Sequence, residues 1–172
     1  MKLVHELELS FSASCERNDF RLVHYSIQGN HAHLIVEADN ENALGRGMKA
    51  LGARLARAVN RIFRRAGPVL VDRYHLHVLR TPREVRHALA YVLLNARKHA
   101  ARAGRALSRA LAIDPASSGR WFEGWRRPVA GPVPADGTPV ALPRSWLLRV
   151  GCKRRPLERR WDPPLNRCVA AE

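Results

Sequence analysis

Two alternating apolar segments joined by a tight turn constrain the fold more than any other feature. Phe20-Arg21-Leu22-Val23-His24-Tyr25-Ser26-Ile27 alternates loosely and reads as a strand. Gln28-Gly29-Asn30 supplies turn residues. Leu34-Ile35-Val36 favours a strand again. The stretch therefore predicts an antiparallel hairpin. Its second strand opens on His31-Ala32-His33. On a strand, side chains at i and i+2 share a face, so the two imidazoles stand side by side and make a half-site for a divalent cation. A strand that carries two solvated histidines has the same spacing, and spacing alone does not separate the two.

Asp39-Asn40-Glu41-Asn42 starts a helix, with Asn40 as N-cap. Leu44, Met48, Leu51, Leu55, Val59 and Ile62 recur at helical spacing and carry that helix to about Phe63. Arg46, Lys49, Arg54, Arg57, Arg61, Arg64 and Arg65 decorate the remaining faces. A solvated face has this composition too. The set contains no acid to pair at i, i+4, which points to a surface that tracks phosphates. Gly67-Pro68 stops the helix, and residues 69–79 read as a long strand. That segment holds a second i, i+2 pair, His75-Leu76-His77, so the spacing offers two metal half-sites and does not choose between them.

Thr81-Pro82-Arg83-Glu84 opens a further helix: Thr81 as N-cap, Pro82 at the first position, Glu84 closing a capping box. Val85, Leu89, Val92 and Leu93 form its apolar stripe, with Ala88 and Ala96 beside them, to about Ala103. The adjacent face carries His87, Tyr91, Asn95, Lys98 and Arg102, and Tyr91 and Asn95 are neighbours one turn apart. Residues 1–16 fit either a short strand or an irregular helix. Beyond Asp114 the chain becomes rich in Trp, Pro and Arg. It reads as an irregular extension, residues 113–172, on a domain of residues 1–112. Its aromatics either pack on the sheet, the commoner outcome, or stack on bases.

Lys+Arg number 30 against Asp+Glu 15, a formal net charge of +15 on 172 residues. Such a balance favours a polyanionic partner, nucleic acid first and an acidic membrane surface second. No apolar run is long enough to span a bilayer. The three cysteines, Cys15, Cys152 and Cys168, have neither disulfide-framework nor zinc spacing, which fits a reducing cytoplasm.

Taken together, the residues from Val23 to Glu37, the basic helix after them, Asp72-Arg73-Tyr74-His75 and Tyr91-Val92-Leu93-Leu94-Asn95-Ala96-Arg97-Lys98 resemble the REP-associated tyrosine transposases, within the single-tyrosine HUH endonuclease superfamily. Order and spacing agree across roughly residues 20–103. The resemblance implies a ferredoxin-like α+β sandwich, an antiparallel sheet with helices packed on one face. It implies Tyr91 as nucleophile and His31, His33 and Asn95 as ligands of Mg²⁺ or Mn²⁺. It implies nicking and rejoining of single-stranded hairpin DNA through a 5′-phosphotyrosine. Arg46, Lys49, Arg54, Arg57, Arg61, Arg73, Lys98 and Arg102 are the expected DNA-binding cations. A monomer or homodimer associated with the nucleoid is the expected setting. The family begins with a further strand and a full helix, where only some 19 residues precede Phe20 here. Either residues 2–12 replace that strand or the N-terminal elements are cut short. A catalytically inactive or domesticated relative that only binds nucleic acid is the alternative. A basic ribosome- or RNA-associated protein is a third.

Overall fold

The computed structural model describes residues 2–13, 16–71, 74–95, 113–114, 116–126, 138–154 and 157. Among the described residues the α-helices and strands run in the order α1 (Lys2–Ser12), β1 (Phe20–Ile27), β2 (Ala32–Ala38), α2 (Glu41–Ile62) and α3 (Pro82–Leu93), followed by short helical turns at Ser118–Trp121, Leu147–Gly151 and Cys152–Arg154. The composition is α+β, an antiparallel sheet with helices packed against it. Among the described residues the sheet is the hairpin, β1 paired with β2.

A bulge in β1 decides what each face carries. The register runs Leu22 opposite Val36, then His24 opposite Ile35, so Val23 is the extra residue. Leu22 and Tyr25 consequently share a face although they are three apart. They pack with Leu34, Val36, Phe11 of α1 and Leu51 of α2. Val23 and Ile35 face the other way, into a cluster with Val85, Leu89, Val92 and Leu93 of α3. The helices thus divide between the two faces, α1 and α2 on one and α3 on the other. This corrects the one-face expectation. β1 is buried from Phe20 to Ser26 and needs cover on both sides.

Asn40 caps α2, its Oδ1 accepting from the Ala43 N–H at 2.9 Å. The most buried line of α2 is Ala43, Gly47, Leu51 and Ala58. At Gly47 a Cβ would fall onto the Phe20 ring, so this glycine sets how closely the helix approaches β1. The helix ends in a Schellman arrangement. The Arg65 N–H reaches Asn60 O and the Arg64 N–H reaches Arg61 O, with Arg64 at φ 49°. At α3 the expected capping box forms between Thr81 and Glu84, and the buried residues are Val85, Leu89, Val92 and Leu93.

The structure bears on three further expectations. Lys2–Ser12 is a helix, so residues 2–12 do not stand in for a strand. α3 closes at Leu93 with Leu94 as its C-cap, Asn95 is again helical, and residues 96–103 of the expected continuation lie outside the described residues. The described part of residues 69–79 forms no strand. A strand needs a partner for its backbone, and no ladder joins this segment to β2 among the described residues. Leu70, Leu76 and Val78 are left more than half exposed.

The described parts of the C-terminal third pack on the sheet. Ile27 N–H donates to Ala116 O, and Ala141 N–H donates to Leu22 O, both at 2.8 Å, so the outer edge of β1 is covered. Phe122, Trp125 and Leu148 enter the α3-side cluster, and Val140 enters the α2-side cluster. Glu37 fastens the end of the hairpin: it accepts from the backbone N–H groups of Arg144 and Ser145 and pairs with the nearly buried Arg21 at 3.2 Å. Burial opposes ionisation of Glu37, but these donors prevail and hold its pKa below the usual range. Cys152 is buried, while Cys15 and Cys168 lie outside the described residues. Among the described residues no helix is long and apolar enough to cross a membrane.

Candidate functional site

The strand period and the turn together place the histidines. His33 pairs with Ser26 across the hairpin on the α3 side and is 2 % exposed. His31, two residues earlier, lies on the same side at the mouth of the turn. Their Nε2 atoms approach to 3.1 Å, with the rings T-shaped and 4.7 Å apart. The Nδ1 of His31 is 2.7 Å from Asn30 Oδ1. An amide oxygen only accepts, so Nδ1 carries the proton and His31 Nε2 keeps its lone pair. In the isolated pair, His33 Nε2–H donates to that lone pair.

This geometry suits a cation. Two donors each about 2.0–2.1 Å from one metal sit about 3 Å apart when they occupy adjacent positions, and the observed separation is 3.1 Å. Were a cation held there, Asn30 would be the outer partner that fixes the His31 tautomer. Sequence reading gave Asn30 only a turn role. Its place directly before the first histidine was the available signal. Among the described residues no third His, Cys, Asp or Glu completes a cluster.

Tyr91 comes from α3. Its ring stands T-shaped against His33 at 4.9 Å between centroids. The apolar stripe of α3 faces the core, which turns the neighbouring stripe, with His87 and Tyr91, toward β2. Burial first, then the guanidinium groups of Arg83 and Arg86, push the His87 pKa down, favouring the neutral imidazole. Asn95 follows the break at Leu94. Its side chain is fully buried, and neither its oxygen nor its nitrogen has a hydrogen-bond partner. A buried amide in that condition costs about 1–3 kcal/mol unless something coordinates or solvates it.

The other tyrosines, with His24, His75 and His77, divide between the core and the surface. Tyr25 is buried, its hydroxyl donating to Glu8 Oε1 at 2.9 Å. Burial first, then the Glu8 carboxylate, push its pKa far above the ordinary value and make it unfit as a nucleophile. Tyr74, His75 and His77 are exposed on the segment between α2 and α3. His24 is buried against Phe122, with Nδ1 3.1 Å from Ser118 Oγ.

The expected DNA-binding cations fall into three groups. Lys49, Arg54 and Arg57 are exposed on α2. Arg46 pairs with Asp19, and Arg61 pairs with Glu6 of α1, so acids distant in sequence satisfy part of the basic helix. Arg73, Lys98 and Arg102 lie outside the described residues.

His33 and Tyr91 also line a cleft of about 930 Å³ between β2 and residues 74–79. No family model, curated protein or solved structure matches this chain.

Proposed function

We propose that the chain is a metal-dependent endonuclease and strand transferase acting on single-stranded hairpin DNA through Tyr91, of the tyrosine-transposase type, in the nucleoid of the cytoplasm. One observation carries the reading: the His31 and His33 Nε2 atoms converge to 3.1 Å, and the Tyr91 ring lies against His33. Mg²⁺ or Mn²⁺, held by His31, His33 and the Asn95 amide oxygen, would supply Lewis-acid polarisation of the scissile phosphate and absorb developing charge.

The protein's own groups divide the remaining work. Asn30 holds His31 in the tautomer that leaves Nε2 free. The Tyr91 oxygen attacks phosphorus, the Tyr O–P bond forms, and the P–O3′ bond breaks. The departing 3′ oxygen takes up a proton and leaves as a free hydroxyl. A phenol at neutral pH must give up its proton to attack. His87, one turn earlier on the same helix and lining the same cleft, is held toward its neutral, proton-accepting form. Rejoining is the reverse attack by a 3′-hydroxyl on the phosphotyrosine, so no nucleotide hydrolysis is required. Lys49, Arg54 and Arg57 would bind phosphates along the strand.

The second reading, a relative that binds nucleic acid without cutting it, draws on one feature: α3 is broken at Leu94, between Tyr91 and Asn95. Labelled single-stranded hairpin DNA with Mn²⁺ separates the two. The nicking reading requires a protein–DNA adduct that survives denaturation and is abolished in Tyr91→Phe, with hairpin binding retained. A parent that binds hairpins tightly but forms no adduct with any divalent cation establishes the second reading.

A further inference from the structure

β2 has one edge paired and one edge open. Along β1 the Leu22 carbonyl accepts from the Ala141 N–H, the Ile27 N–H donates to the Ala116 carbonyl, and the Tyr25 N–H donates to Ser118 Oγ. The main-chain groups of Leu22, Tyr25 and Ile27 therefore point away from β2. Leu22 stands opposite Val36, and Tyr25 opposite Leu34. In an antiparallel pair, residues opposite each other either exchange both hydrogen bonds or neither. The N–H and C=O groups of Leu34 and Val36 consequently turn away from β1 too, and no main-chain bond reaches them among the described residues. They face the cleft of about 930 Å³, whose far wall, residues 74–79, joins no ladder among the described residues. An open edge of this kind is a template for a further strand.

The cleft also has the size of one strand. A strand residue takes up about 3.4 Å of rise, about 4.8 Å between neighbours and about 10 Å between layers, or about 160 Å³. The volume therefore holds about six residues. The walls match that length: all 7 residues of β2 line the cleft, and so do residues 74–79. Both faces such a strand meets are apolar. Leu34, Leu44 and Met48 lie toward α2, and Ile35, Val85 and Val92 toward α3. On the far wall Leu76 and Val78 are exposed by 56 % and 57 %. Arg83 is set against Glu37, Glu41 and Glu84 in the lining, a balance that gives no hold on a polyanion. A second folded copy is too bulky for a slot one strand wide.

We propose that this cleft receives an extended apolar segment of a partner polypeptide, about six residues long, which adds to the open edge of β2 as a third strand. The walls set its chemistry. It is uncharged and apolar on both faces, as a strand covered on both sides must be. It carries no proline where its N–H has to reach the Leu34 or Val36 carbonyl. Bound there, it joins β2, the strand that bears His33, to residues 74–79. The proposal does not use the reading of Tyr91 as a nucleophile.

The test uses the full chain and a peptide of six valines flanked by lysines for solubility. Its control has the same side chains, with all the valine nitrogens methylated so that none can donate. Residue-resolved hydrogen exchange and fluorescence anisotropy are the readouts. With the peptide in excess, the Leu34 and Val36 amides should exchange at least about tenfold more slowly. The Ile35 amide, already turned toward β1, should change little. The methylated control should bind at least about tenfold more weakly, the effect of losing a few main-chain hydrogen bonds. Replacing the far wall by Leu76→Asp together with Val78→Asp should weaken the peptide by a similar factor. Both positions are exposed, and a thermal melt verifies that the variant folds. Unchanged exchange at Leu34 and Val36 overturns the proposal, as does equal binding of the two peptides or undiminished binding by the wall variant. It is also overturned if those two amides become protected as protein concentration rises without peptide, which seats a second copy on the edge. Protection by an oligothymidylate and not by the peptide overturns it as well.

Discussion

Asn30 shows how a small residue sets the state of its neighbour. It touches neither phosphate nor, in the geometry above, a cation, yet its Oδ1 fixes which nitrogen of His31 bears the proton. Asn30→Ala frees the ring to rotate and to take the other tautomer. We expect Mn²⁺ affinity to fall about 10–100-fold, the usual effect of losing an outer partner, with little change in melting temperature because the turn is exposed. Calorimetric titration with Mn²⁺ checks this, and unchanged affinity would remove Asn30 from the site. The two histidines, the Thr81–Glu84 box and the Asn40 cap were legible because each depends on positions within a few residues of one another. The tyrosines were not separable in that way. Tyr25, Tyr74 and Tyr91 look alike in sequence, and only burial and Glu8 remove Tyr25 from the candidates.

At the scale of elements, hydrophobic period read the helices well and one strand badly. The alternation in residues 69–79 is real, but alternation states only that a strand could be half buried. Whether it forms depends on a neighbouring backbone, which no local pattern encodes. The bulge at Val23 is likewise invisible in sequence, yet it sorts Leu22, Val23 and Tyr25 onto their faces. On α2 the predicted stripe of large residues is partly buried, while the closest line of approach runs through Ala43, Gly47 and Ala58. Gly45 and Gly47 give a paired test. A Cβ at Gly45 meets nothing within 4 Å, whereas at Gly47 it meets the buried Phe20 ring. Gly45→Ala should stabilise by about 0.5–1 kcal/mol through helix propensity alone. Gly47→Ala gains the same propensity but forces Phe20 aside. Overpacking costs about 1–3 kcal/mol, so the net change should be destabilising. Urea denaturation of the two variants reads the signs directly, and the same sign for both would mean that Phe20 relaxes freely.

At the scale of the whole molecule, the hairpin and the C-terminal third are joined through a buried polar lock whose charge state matters. Ser118 Oγ lies 3.1 Å from His24 Nδ1 and accepts the Tyr25 N–H at 2.9 Å, while the His24 ring packs edge-on to Phe122. Burial first, with the Lys153 ammonium adding to it, lowers the His24 pKa to about 3. The native state therefore keeps this imidazole neutral. An unfolded chain protonates it near pH 6.5. Below that pH the unfolded state binds a proton that the folded state refuses, so stability must fall as pH falls. The loss is about 1.4 kcal/mol per pH unit down to about pH 3, or about 2 kcal/mol by pH 5. Glu37, held ionised in the native state, adds a loss of the same sign only at lower pH, as its carboxylate protonates. Acid also raises a net charge already at +15, which destabilises by self-repulsion. Salt separates the two causes, because it screens surface charges and leaves a buried imidazole unscreened. In 0.5 M salt the parent should still lose stability between pH 7 and pH 5. His24→Asn, which keeps a polar atom near the Nδ1 position and cannot titrate, should lose much less over the same interval, though it starts less stable for want of the ring. Equal slopes for parent and variant would assign the acid sensitivity to other groups and leave His24 as packing alone.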